Sequence, residues 1–283
     1  MSKFFNQTLK ARTPIFPEQG FDFTGLQEIA ENDAQTVSKP GDPVPEQSEL
    51  GKVKKVIIPQ SKLLLTKFEG SDSLQSAEES YRALRTRLLR LHTAGGLRSV
   101  VITSSIPGEG KTLTSLNLAL SCSQLHDMRI LLVDGDIRTS GLTRSLGIAP
   151  MPGLADVLSG QGTAESVVLE TNHPNLFFCG AGSAMEPPAE LFAGQRWQEF
   201  IERCSESFKL VLVDSPPILN LADVELMTAA CDGVLLVVRA RHTRRDVLQK
   251  SASQIDAQKL LGVVYNGSER AQHGYYAAVG KEK

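Results

Sequence analysis

A chain of 283 residues, 41% hydrophobic and 22% charged, can bury a sizeable core in one large or two small domains. Its net charge of −2 gives no basic field that would argue for nucleic acid and no acidic excess that would argue for wholesale disorder. No apolar run approaches the roughly 18 residues of a membrane span, and MSKFFNQTLKARTP lacks the long apolar core of a secretory signal, so a cytoplasmic protein is expected.

In chain order, residues 1–50 are rich in Pro, Gln, Glu, Asp and Ser with weak periodicity, as in FPEQGFDF and KPGDPVPEQ. They predict a disordered leader with at most a short helix at 26–31. VKKVIIP (53–59) reads as a short strand or extended connector. Ser73 to His92 predicts a helix, with Ser73 as N-cap, Glu78 and Glu79 early, Arg85, Arg87 and Arg90 late, and an apolar stripe of Leu84, Leu88 and Leu91.

From residue 97 onward strand and helix patterns alternate. Strands are expected at 99–103, 129–134, 175–179, 209–214, 233–238 and 260–265. Helices are expected at 111–125, 189–206, 222–230 and 244–256, with short helical pieces at 154–158 and 164–170. The strands are continuous apolar runs such as ILLVD, LVLVD and GVLLVV, the pattern of a parallel sheet covered on both faces. The fold class is therefore α/β, a doubly wound, mostly parallel sheet whose ligands bind at the carboxyl ends of its strands. Residues 51–267 form the domain on this reading, and 268–283 a flexible tail. Cys122, Cys179, Cys204 and Cys231 are far apart, each in an apolar segment, and read as buried thiols. The five histidines follow no metal-ligand spacing. Trp197 shares a helical apolar pattern with Phe192 and Phe200 and reads as core.

The most informative stretch is VVITSSIPGEGKTLTSLNL, residues 100–118. Ser105-Ile106-Pro107-Gly108-Glu109-Gly110-Lys111-Thr112 matches the phosphate-loop pattern GxxxxGK[ST] except at its first position, where Ser105 replaces Gly. Gly108 and Gly110 let successive N–H groups turn toward one anion, Lys111 reaches phosphate oxygens, and the Thr112 hydroxyl can ligate Mg²⁺. Two apolar strands end in carboxylates: ILLVDGDIR supplies Asp134, Asp136 and Arg138, and LVLVDSPP supplies Asp214. In a parallel sheet these tips share an edge with the phosphate loop, and a hard dication needs only one or two carboxylates beside phosphate oxygens.

The succession SSIPGEGKT, LLVDGDIR and LVLVDSPP resembles the three Walker-type motifs of bacterial tyrosine kinases, and GLADVLSGQ and PPAELF resemble that family's connecting regions. The resemblance spans about residues 74–267. It implies a P-loop fold of the septum-site and partition ATPase type, and an ATP- and Mg²⁺-dependent tyrosine autokinase that regulates capsular and exopolysaccharide synthesis. It further implies that Ser105, Pro107, Gly108, Glu109, Gly110, Lys111, Thr112 and Leu113 hold ATP. Asn266 would read the adenine edge, unless it is simply a strand-end turn former. Thr112, Asp136 and Asp214 would hold the metal. Lys111, Asp134, Asp136 and Arg138 would serve catalysis, with Asp134 as base and Arg138 neutralising phosphoryl charge or pinning its loop.

Glu79, Arg82 and Arg85 match ExxRxxR, through which the family packs into rings; the same residues could equally be a solvated helix face. Tyr275 and Tyr276 stand where the family carries a longer tyrosine cluster phosphorylated on a neighbouring subunit. The resemblance also implies a separate transmembrane adaptor of the chain-length-determinant type, and no nucleic-acid partner. Two other readings remain: a positioning ATPase, disfavoured because Ile106 stands where that branch carries a second lysine, and a nucleotide-binding regulatory subunit.

Overall fold

The computed structural model describes residues 54–58, 71–149, 151–183, 186–219 and 222–267. The expected leader with its helix at 26–31 and the tail with Tyr275 and Tyr276 lie outside the described residues, and the first long helix begins at Ser71, so Ser73 lies within it and is not its N-cap.

In chain order the elements are β1 (Lys54–Val56), α1 (Ser71–Gly95), β2 (Ser99–Ser104), α2 (Lys111–Ser123), β3 (Ile130–Asp134), α3 (Gly141–Ser145), α4 (Leu154–Leu158), α5 (Ala164–Val167), β4 (Val168–Thr171) and β5 (Leu176–Cys179). They continue with α6 (Pro188–Ala193), α7 (Gln195–Ser207), β6 (Leu210–Asp214), α8 (Ala222–Ala230), β7 (Gly233–Arg239), α9 (Arg245–Ser253) and β8 (Leu260–Asn266). The strands form one sheet in the order β1-β4-β5-β3-β6-β2-β7-β8. All pairings are parallel except β4 with β5.

The two-residue period of a strand sends alternate side chains to opposite faces, and both faces here are covered. Val100, Ile102, Ile130, Leu132, Leu210 and Leu212 join a core closed by Leu88 of α1 and Leu116, Leu118 and Ala119 of α2. Leu84 and Leu91 pack against the same core, so the α1 stripe faces inward as expected. Val101, Leu131, Val133, Val211 and Val213 face the other way, against Trp197, Phe200, Ile201 and Cys204 of α7. Those four fall at i, i+3, i+4 and i+7, one stripe of a helix. Trp197 is buried edge-on to Phe192, with its indole N–H donating to the Met227 carbonyl at 3.2 Å. Each such side chain contributes about 1.5–3 kcal/mol by leaving water. All four cysteines are buried free thiols.

Two further expectations need correction. The segment 164–170 is helical only in its first half: α5 stops at Val167, and Val168–Thr171 pairs with both β5 and β1. Pairing on both sides overrides the local pattern, and the turn to β5 is held by the Thr171 hydroxyl, which donates to the Leu176 carbonyl at 2.9 Å. The helix expected over 189–206 is broken at Gly194, which is extended and serves as C-cap of α6 and N-cap of α7. Periodicity runs through the break because both helices face one core.

Candidate functional site

β2 occupies the switch point of the sheet, with β6 on one side and β7 on the other. Its C-terminal end feeds the phosphate loop, which opens directly into α2. Gly108 and Gly110 carry φ of 82° and 94°, left-handed backbone that an L side chain rarely adopts. Ser105 is not among the positive-φ residues, which explains why a non-glycine is tolerated at the first position of the pattern. Gly110 is the N-cap of α2 and no side chain caps it, so the first amides of α2 remain for an anion at the positive end of the helix.

Of the three carboxylates expected near a metal, two come together at adjacent strand ends and the third stands beside Lys111; among the described residues no three His, Cys, Asp or Glu side chains cluster as a metal-binding set. Asp134 and Asp214 are direct partners at the ends of β3 and β6, both fully buried. The Asp136 carboxylate lies 3.5 Å from the Lys111 ammonium, with both side chains largely enclosed. Asp214 accepts from the Ser115 hydroxyl at 3.0 Å. Burial pushes its carboxyl up to about 7, while Lys111 and the hydroxyls of Thr112 and Ser115 pull against that rise. Asp134 accepts from the Thr143 amide and hydroxyl, both at 2.7 Å, and burial raises its pKa too.

Three buried oxygens at this locus, on Ser105, Asp134 and Asp214, have no hydrogen-bond partner. Unpartnered buried oxygens beside a phosphate loop and a lysine are the kind of donor that a hard dication, which keeps several waters and phosphate oxygens, takes one or two of. The residues therefore fit a nucleotide with Mg²⁺.

Other expected residues have more particular placements. Arg138 makes a bidentate ion pair with buried Asp223 at 2.7 and 3.1 Å, which ties the loop after β3 to α8. The geometry is that of a pin. Asn266 donates from Nδ2 to the Glu109 carbonyl at 2.9 Å, and a Cβ on Gly110 would overlap that amide. Glu109 does not line the cradle: its buried carboxylate turns inward, accepting from the Ile106 amide at 2.9 Å and from the Thr243 hydroxyl. Glu79 and Arg82 are exposed and paired with each other at 3.4 Å. Arg85 is committed within its own chain, donating to the Ser121 carbonyl of α2 at 2.6 Å.

Sequence reasoning missed Ser115, Thr143, Asp223 and Thr243. Each is a single polar residue whose importance comes from a partner about ten to more than a hundred positions away. Ser115 alone carries a local signal, one helical turn after Lys111.

This fold and site define a P-loop nucleotide-binding protein of the α/β type. A family model described as an AAA domain matches residues 97–259. The tyrosine-protein kinase YwqD of Bacillus subtilis (strain 168) is 31% identical over 203 residues, covering 70% of this chain and 85% of its own. The tyrosine-protein kinase CpsD of Streptococcus agalactiae is 30% identical over 226 residues, covering 77% and 97%. Among solved structures, the kinase domain of Escherichia coli tyrosine kinase ETK superposes with a TM-score of 0.64 at 26% identity, covering 70% of this chain and 79% of that one. The chain belongs to the AAA-domain P-loop proteins and, within them, to the bacterial tyrosine-protein kinase family. No helix among the described residues is long and apolar enough to cross a membrane.

Proposed function

We propose that this chain transfers the γ-phosphate of ATP to protein tyrosines and acts in capsule or exopolysaccharide synthesis. The observation that carries the reading is the ion pair of Lys111 with Asp136 beside the opposed pair Asp134 and Asp214 at the strand ends next to the phosphate loop. A kinase needs little covalent chemistry from its own residues. It must hold the phosphates, neutralise developing charge and take a proton from the acceptor hydroxyl.

Each task has a candidate. The loop amides from Gly108 to Leu113 and the Lys111 ammonium would hold the phosphates, with Pro107 shaping the turn that leads into them. Thr112, Asp136 and Asp214 would hold Mg²⁺, which when bound neutralises phosphate charge. A phenol with a pKa near 10 is protonated at neutral pH, so its attack needs a base. Asp134 is our candidate, since burial raises its proton affinity and one oxygen is left unpartnered. Asn266 would read the adenine edge of the nucleotide. The domain would be 51–267, with 1–50 as leader and 268–283 as an acceptor tail bearing Tyr275 and Tyr276, phosphorylated on a neighbouring copy of a ring-like oligomer. A separate transmembrane adaptor would bring the protein to the inner face of the membrane.

The test is incubation of the purified chain with ATP and Mg²⁺, following phosphotyrosine by mass spectrometry together with released phosphate, with Lys111→Met as control. Phosphotyrosine on Tyr275 or Tyr276 supports the whole reading, and phosphotyrosine elsewhere removes the tail as acceptor. Phosphate release alone replaces the kinase with an ATPase, and nucleotide binding without either leaves a regulatory subunit.

A further inference from the structure

The phosphate loop is fastened on its outer side to a turn whose sequence, RARHTRR (239–245), carries no nucleotide-binding pattern. Two contacts from the turn make the fastening, and a third comes from Asn266 at the end of β8 beside it. The Thr243 hydroxyl donates to the Glu109 carboxylate, the Arg239 guanidinium donates to the Gly108 carbonyl at 3.3 Å, and the Asn266 amide donates to the Glu109 carbonyl at 2.9 Å. The turn is itself rigid. The Thr243 amide donates to the Arg239 carbonyl at 3.0 Å, and the Thr243 oxygen accepts from the Arg239 amide at 2.9 Å. With its acceptor role filled from Arg239, the hydroxyl has its proton left to give to Glu109.

Glu109 relays this inward. Its other oxygen accepts from the Ile106 amide at 2.9 Å, which closes residues 106–109 into a turn just where Gly108 and Gly110 take left-handed backbone. A buried carboxylate can hold one rotamer only while its oxygens are satisfied. Without Thr243 one oxygen of Glu109 is unpaired, the rotamer is no longer fixed, and the curvature of the cradle is not set before the anion arrives. Binding must then supply the ordering that the folded loop already has.

We infer that Thr243 is a positioning residue for the nucleotide, acting through Glu109 to preorganise the phosphate loop. This rests on the proposed reading of the loop as an ATP site. Because Thr243 acts on the cradle and not on the reacting atoms, its removal weakens ADP and ATP alike and leaves the step after binding untouched, the signature of lost uniform binding.

The experiment is calorimetric titration of the full chain with Mg·ADP, with KM for ATP and kcat measured alongside. Thr243→Val raises the Kd for Mg·ADP about tenfold, since one hydrogen bond to a buried charge is lost. It raises KM for ATP in parallel and leaves kcat within about twofold. Thr243→Ser, which keeps the hydroxyl, binds as the wild type does. Adding Glu109→Gln to Thr243→Val costs less than the two single effects combined, because both act through one contact. Wild-type affinity in Thr243→Val, or a loss in Thr243→Ser as large as in the valine variant, overturns the inference. So does a fall in kcat at unchanged KM. If Thr243→Val unfolds, the comparison of Glu109→Gln with wild type decides alone, and unchanged Mg·ADP affinity there overturns it. A wild-type chain that binds neither nucleotide sinks the reading of the site itself, and is thereby distinguished from failure of the Thr243 inference.

Discussion

Asp134 and Asp214 face each other at the ends of two adjacent parallel strands, β3 and β6, and both are fully buried. Two carboxylates at one level in a dry interior disfavour each other's ionisation, and the sheet holds them there because it is closed by apolar residues on both faces. The arrangement costs stability in the absence of a cation.

That cost has a sign in pH. The folded Asp214 carboxyl sits at about 7 against an ordinary 3.8, so between these values the folded chain binds more protons than the unfolded one. The metal- and nucleotide-free protein therefore loses stability as pH rises through this window, by up to ~1.4 kcal/mol per pH unit from this group. Urea unfolding at several pH values checks it. Asp214→Asn should flatten the slope, and an equal slope in that variant would assign the effect elsewhere.

Lys111 and Asp136 form an ion pair at 3.5 Å in which each occupies the other's charge. A divalent ion alone must displace the ammonium to reach Asp136, whereas a nucleotide offers Lys111 a new partner. Mg²⁺ without nucleotide should give little heat in calorimetry at 1 mM or so, a concentration at which only sites of millimolar affinity or better respond. Lys111→Met should lower phosphotyrosine formation by about 100-fold or more, on the scale of removing one preorganised charge from a phosphoryl-transfer site.

The bidentate pair of Arg138 and Asp223 separates two roles for the arginine. As a pin, Arg138→Ala leaves a buried carboxylate without its cation and should cost about 2 kcal/mol, discounted because the guanidinium is partly exposed. In a domain of this size that is a fall of about 5 °C in Tm. Asp223→Ala should then lower phosphotransfer about as much as Arg138→Ala does. A large loss of activity in Arg138→Ala alone, with Asp223→Ala fully active, would instead place the arginine at the phosphoryl group.

Arg82 and Arg85 belong to one motif but stand in different surroundings. Arg85 satisfies a carbonyl in the last turn of α2, one of the acceptors that a helix end leaves open. Arg85→Ala should cost about 1–2 kcal/mol without changing oligomer size. Arg82 is exposed, paired with Glu78 and Glu79 on its own helix, contacts worth only about 0.3–0.5 kcal/mol each. If this face is an interface, Arg82→Ala should shrink the oligomer in light scattering at unchanged Tm. Unchanged size in Arg82→Ala and in the double variant would leave α1 a solvated helix.

The amino-acid sequence by itself determined the sheet, the phosphate loop and the acidic strand tips, because these are local. A run of apolar β-branched residues, two glycines before a lysine, and an aspartate at a strand end each state their chemistry within about ten residues. Tertiary structure decided what those residues touch. The strand character of 168–171 came from pairing with β5 and β1. Asp223 behind Arg138, Ser121 behind Arg85 and Thr243 behind Glu109 are contacts across 85, 36 and 134 positions. A hydrogen-bond partner is set by where the crossovers bring the chain back. Periodicity records only which side of an element faces the core, so it carries no trace of that partner.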